Sequence, residues 1–195
     1  MTNILVAYAT NAGTTEEVAK VIAEELGVNG ATVTVRQVAE VTSLEGYDAV
    51  VVGAPMIMGW HRDAVRFVKK HAQDLSLVPT ACFITAMSLT QTGEVSVQGT
   101  PLVIDPRLAK PPKKAGRPGF KERYAMPAKY VRPILQAAPG MKPVSVAIFG
   151  GRLDLFRLSL WQQLFVMLVI GAQPGEFRNW DFIRGWAAGL DLTAL

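Results

Sequence analysis

Apolar residues in this chain fall into short solid runs, separated by longer stretches in which they recur every three or four positions, the pattern of strands alternating with helices. Residues 4–9 are apolar throughout, which suits a strand buried on both faces of a parallel sheet. Val18, Ile22 and Leu26 then recur at helical spacing, Thr14 and Glu17 have capping-box spacing, and Gly27 sits where that helix should stop. Thr32–Gln37 alternates β-branched and polar residues, predicting a second strand nearer the sheet edge. Residues 49–54 predict a buried third strand running into Pro55, residues 64–75 a helix with Val65, Val68 and Ala72 inward, and Thr80–Ala86 a fourth strand. Residues 126–138 read as a helix with Pro127 in its first turn and Pro133 kinking or shortening it. Residues 144–151 supply a fifth strand, and residues 177–190 the last helix. Five strands interleaved with helices predict an α/β fold, a doubly wound five-stranded parallel sheet, in one domain spanning residues 1–195.

Two stretches break the rhythm. From about residue 90 to 125 prolines and glycines dissolve the pattern, which predicts a long insertion after strand four without regular structure of its own. Residues 158–175 carry no charge, and their apolar part falls far short of the roughly 20 residues needed to span a bilayer. They predict an apolar helix at about 155–171, either buried or lying in a membrane interface with Trp161, Arg152 and Arg157 at the headgroup boundary.

The chemistry lies in the loops. Between the first strand and helix stand Thr10, Asn11, Ala12, Gly13, Thr14 and Thr15, hydroxyls and a glycine at the positive end of a helix, where backbone N–H groups suit a phosphate monoester. Neither GxGxxG nor GxxxxGK[ST] is present, so neither a dinucleotide fold nor a P-loop NTPase is indicated. Ligands of an open parallel sheet bind beyond the carboxyl ends of the strands, which puts Pro55, Met56, Ile57, Met58, Gly59 and Trp60 on the same rim. That loop is apolar, as a loop under a flat apolar ligand would be, or one packed on its own core. Ala86, Met87, Ser88 and Leu89 begin a third rim loop.

Composition narrows the classes. A single cysteine, Cys82, excludes an internal disulfide, two histidines are few for a metalloenzyme, and no metal site is expected. No basic or cleavable apolar segment precedes the first strand, so the chain is expected in the cytoplasm, or peripheral on the inner face of a membrane. The net charge of +4 is uneven. Residues 107–132 hold nine lysines and arginines against Glu122, a net +8, which leaves −4 for the remainder. An anionic partner is therefore sought at the insertion, whose cations serve a substrate, lie on anionic lipid or are merely solvated. No nucleic-acid partner is expected.

With these residues in view, the chain resembles the flavodoxin-like FMN proteins, and among them the flavodoxin-type, quinone-dependent protoporphyrinogen IX dehydrogenases. The resemblance rests on residues 9–15, on Tyr47-Asp48 before the third strand, on Met58-Gly59-Trp60-His61 leading to Phe67-Val68-Lys69-Lys70-His71, on Phe149-Gly150-Gly151-Arg152, and on Asn179-Trp180-Asp181. It implies FMN as cofactor, with residues 10–15 on its phosphate, Met56 to Trp60 beside one flavin face and Met87 to Thr92 near its pyrimidine end, Pro55 and Ala86 to Leu89 being counted among the cofactor-binding residues. It implies a porphyrinogen or another flat anionic molecule as substrate and a quinone as electron acceptor. Two departures stand out: Ala12 replaces a hydroxyl found in many flavodoxins, and the loop after strand four lacks the aromatic that commonly covers the flavin, implying an open isoalloxazine face. His61 is a candidate proton relay or a structural rim residue, and no catalytic residue is assigned. A flavodoxin-type electron carrier, an NAD(P)H:quinone reductase and a binding module that has lost FMN stay open.

Overall fold

The computed structural model describes residues 2–28, 30–56, 59–114, 117–153 and 175–192. In chain order they form β1 (Asn3–Tyr8), α1 (Thr14–Val28), β2 (Thr32–Gln37), β3 (Ala49–Pro55), α2 (Arg62–Lys70), β4 (Thr80–Ala86), β5 (Leu89–Thr90), β6 (Ser96–Val97), β7 (Thr100–Ile104) and β8 (Ala109–Lys110). There follow α3 (Phe120–Tyr124), α4 (Pro127–Ala137), β9 (Ser145–Gly150), β10 (Arg152–Leu153), β11 (Gly175–Glu176) and α5 (Trp180–Ala188).

The main sheet runs β2-β1-β3-β4-β9-β7-β6. Its first five strands are all parallel, as the expected doubly wound sheet requires. Because β1 lies between β2 and β3, the chain reverses its winding there, and the carboxyl ends of β1 and β3 flank the crevice at the switch point.

Both faces of the sheet are covered, as solid apolar strands require. Leu5 and Ala7 of β1 join Val50 and Val52 of β3 on one face, beneath Phe67 and Val68 of α2 and Val131 and Ile134 of α4. Ile4 and Val6 face the other side with Val51, beneath Val18 and Ile22 of α1 and Ile183 of α5. There Phe149 meets Trp186 edge to face at 5.4 Å between ring centroids, and the Trp186 indole N–H donates to Ser145 Oγ at 3.0 Å.

The insertion departs from expectation. It holds β6, β7, β8 and α3, and it widens the sheet: β7 pairs in parallel with β9 through Leu102↔Val146, Val103↔Ala147 and Ile104↔Ile148. Val97, Leu102 and Leu108 are buried in the core. One of the prolines that suggested irregular chain, Pro101, is placed where a strand tolerates it, facing Ser96 of a two-residue edge strand. Helix ends shift as well. Gly27 lies inside the last turn of α1, and Gly30, at φ +87°, takes the left-handed position beyond it. The second helix starts at Arg62, because the His61 ring caps it, and stops at Lys70. Among the described residues no helix is long and apolar enough to cross a membrane. The expected apolar helix at about 155–171 lies outside the described residues.

Candidate functional site

At the switch point the chain leaves β1 and is tied at once to β3, the Ala9 N–H donating to the Gly53 carbonyl at 2.9 Å. The loop then closes on itself: Thr10 Oγ1 accepts from the Gly13 N–H at 2.9 Å, and Gly13 adopts φ +84°, a conformation side chains disfavour. The first turn of α1 begins here, the Glu17 N–H reaching the Gly13 carbonyl at 3.1 Å. The N–H groups of Thr14, Thr15 and Glu16 precede that bond and have no acceptor within the helix. They form a concentrated donor set at the positive helix end, and the Thr10 hydroxyl keeps its own proton to donate beside them.

The other loop hydroxyls are turned to the protein. Thr14 Oγ1 donates to the Arg152 carbonyl at 3.3 Å. Thr15 is buried, its hydroxyl 3.0 Å from that of Thr85 at the end of β4. Asn11 Oδ1 meets His61 Nε2 at 3.0 Å and so joins the first rim loop to the second. The opposite ring nitrogen of His61, Nδ1, accepts the Asp63 N–H at 3.3 Å, so Nε2 carries the proton and donates to Asn11. His61 is thus engaged at both nitrogens, as a helix cap and a loop clasp.

The second loop differs from the expected apolar ledge. Met56 and Trp60 pair across an antiparallel bridge and bury their side chains in the core instead of lining the rim, because the bridge folds the loop inward. Gly59 stands between them at φ +125°, half-exposed, with open space where a Cβ would be. Ile57 and Met58 lie outside the described residues. Trp60 Nε1 is a buried donor with no hydrogen-bond partner among the described residues.

In the third loop Ala86 is buried and its carbonyl accepts the Gly151 N–H at 2.9 Å, while Met87 is half-buried and Ser88 exposed. The Ser88 carbonyl is held by the Tyr130 hydroxyl at 3.0 Å, and burial pushes the Tyr130 phenol above its ordinary pKa. Leu89, expected at the rim, is buried in β5 because β5 pairs with β8 of the insertion through Leu89↔Ala109. The three loops are therefore joined at the carboxyl ends of β1, β3 and β4, and among the described candidate residues the side chains of Thr15, Met56, Trp60, Ala86 and Leu89 are buried.

A residue that sequence reasoning missed underlies the first loop. The Arg178 side chain is buried, donates through Nη1 to Glu17 Oε2 at 2.5 Å, and grips Glu176 through Nε at 2.6 Å and Nη2 at 2.5 Å. These bonds hold the Glu176 carboxyl below its ordinary pKa. With 161 positions between Glu17 and Arg178, no local spacing could signal the contact. Asn179, its neighbour, donates to Asp105 Oδ1 at 3.2 Å and so ties the C-terminal segment to the end of β7.

The chain matches a protein-family model described as Flavodoxin domain over residues 5–177. It is 36% identical over 195 positions to the protoporphyrinogen IX dehydrogenase [quinone] of Escherichia coli strain K12, covering 94% of this chain and 91% of that protein, and the same figures hold for the protein of strain O157:H7. Among solved structures, a short-chain flavodoxin associated with a non-canonical PDU bacterial microcompartment aligns at 15% identity over 97% of each chain, with a TM-score of 0.49. Two-electron reduced Megasphaera elsdenii flavodoxin aligns at 14% identity, covering 74% of this chain and 84% of that one, with a TM-score of 0.48.

Proposed function

The chain belongs to the flavodoxin domain family, and from that membership we propose that it is an FMN-dependent oxidoreductase that oxidises a porphyrinogen and delivers the electrons to a quinone. The observation that carries the reading is the rim itself: three loops joined at the switch point, with a set of first-turn N–H groups at the head of α1. This donor set fits a phosphate monoester. The left-handed Gly13 lets backbone approach it closely, and Ala12 subtracts a hydroxyl without removing an N–H.

Residues 10–15 would hold the phosphate, residues 55–60 one side of the ring system, and Ala86, Met87, Ser88 and Leu89 its far end. For Thr15, Met56, Trp60 and Leu89 that contribution is backbone, since their side chains are buried. FMN, when bound, supplies a two-electron carrier between porphyrinogen and quinone. The protein would orient it, and the loop after β4, residues 87–93, would bring no aromatic side chain to cover its ring.

The insertion supports a peripheral contact with an anionic lipid surface, where a quinone resides. Phe120 and Tyr124 of α3 are 79% and 45% exposed, and Lys113, Lys114, Arg117, Lys121 and Arg123 around them are all exposed. This wedge is fixed to the rim, Thr90 Oγ1 donating to the Glu122 carbonyl at 2.8 Å. Co-sedimentation with phosphatidylglycerol vesicles, falling with salt and with F120A/Y124A, is the expected result; equal recovery on phosphatidylcholine vesicles would speak against it.

The activity is tested anaerobically. Protoporphyrinogen should bleach the visible bands of the FMN-loaded protein, and a quinone should restore them. Bleaching by NAD(P)H with no response to porphyrinogen would instead make the protein a quinone reductase or electron carrier.

A further inference from the structure

We infer that Arg178 is a positioning residue for the cofactor phosphate, acting through Glu17: it cancels a carboxylate that α1 carries in the turn that receives a dianion. The inference rests on the FMN reading above and adds the residue that makes the loop electrostatically fit for phosphate. The first turn of α1 includes Glu16 and Glu17. Carboxylates there favour the positive end of a helix that binds nothing, but a phosphate on the same N–H groups meets them as like charges.

Each acid has a cation, and the two pairs differ. Glu16 accepts from Lys20 Nζ at 2.7 Å in an exposed pair one turn apart, which solvent screens. Glu17 draws its partner from the far end of the chain. Arg178 is 4% exposed at its side chain, is braced on its other edge by Glu176, and lies 4.4 Å over the Trp180 ring. Three of its five side-chain N–H groups are taken by carboxylates, so its charge is directed at Glu17 and Glu176, and we take its effect on the phosphate to pass through Glu17. Burial works against its charge, and the hydrogen bonds of Glu176 and Glu17 outweigh that burial, leaving the guanidinium above its ordinary pKa and permanently charged. Two neighbouring bonds hold the same corner: the Phe177 N–H donates to the Gly151 carbonyl at 3.0 Å, and Thr14 Oγ1 donates to the Arg152 carbonyl. The corner therefore reaches the phosphate loop at both Thr14 and Glu17.

FMN and riboflavin separate this role from mere support, because riboflavin keeps the ring system and lacks the phosphate. In Arg178→Gln the dissociation constant for FMN should rise about tenfold, with that for riboflavin nearly unchanged. Adding Glu17→Gln to Arg178→Gln should recover most of the loss. Glu17→Gln alone, at a half-exposed side chain, should bind FMN roughly threefold tighter with riboflavin unaffected. If Arg178→Gln does not fold, Glu17→Gln decides alone. An equal loss of both flavins in Arg178→Gln that the second substitution does not rescue, or Glu17→Gln binding FMN no tighter than the unsubstituted protein, overturns the inference. A wild-type protein that binds riboflavin as well as FMN overturns it while leaving a flavin site. One that takes up neither flavin removes the FMN reading, and the inference with it.

Discussion

Several side chains near the site are determined by contacts a few ångströms long. A Cβ on Gly53 would lie 1.9 Å from the Phe83 ring, which is fully buried and has nowhere to move. Gly53→Ala should therefore cost about 3 kcal/mol, read as a drop in thermal midpoint, even though the change adds only a methyl group. The paired hydroxyls of Thr15 and Thr85 make a second prediction. Thr15→Val keeps the shape but leaves Thr85 without its buried partner, and should lower stability by about 1–2 kcal/mol in denaturant unfolding. Cys82 is enclosed in β4, and burial pushes its thiol up to about 12, so thiol reagents at pH 8 should modify it only as fast as the protein opens. The Arg178 bonds have a pH signature. The folded protein holds Glu176 below the ordinary carboxyl value, chiefly through Arg178, so their stabilisation is complete above that value and is lost as pH falls through the lower, folded one. Glu176→Gln should melt below the wild-type protein at pH 7, and the two should converge in acid. Of these residues only Thr15 and Cys82 were singled out in the sequence; the Thr85 partner, the glycine contact and the Arg178 bonds depend on residues far along the chain.

At the scale of elements, Leu102 in β7 separates two pictures of the insertion. It is 8% exposed and paired beside Val146 of β9, so Leu102→Ala should cost about 2–4 kcal/mol by equilibrium unfolding, whereas in an appended irregular loop the change would fall within about 0.5 kcal/mol. Four of the five core strands were legible because each is a solid apolar run, which burial on both faces leaves no other place, and β2 was legible from its alternation of β-branched and polar residues at the sheet edge. The insertion was not. Residues 102–104 are apolar, but Pro101 before them argued against a strand, and only the pairing with distant β9 makes the strand plain. Likewise, the apolar character of residues 55–60 left two readings open, a ledge under a flat ligand or a loop packed on its own core, and could not say which way Met56 and Trp60 face. The Met56↔Trp60 bridge turns both side chains inward, an outcome of backbone pairing that no hydrophobic pattern encodes.

Across the whole molecule, charge and topology divide the labour. The parallel sheet brings the carboxyl ends of β1, β3 and β4 to one rim, the insertion concentrates cations beside it, and Arg178 joins the C-terminal segment to the loop at the head of α1. Every functional step argued for this chain presupposes that the rim accepts FMN. Titrating FMN into the purified protein, with flavin fluorescence and the visible bands followed together, tests that directly. The account predicts saturation at a single FMN per chain with altered fluorescence and shifted bands. Flavin that keeps the fluorescence and bands of free FMN at every protein concentration would contradict it.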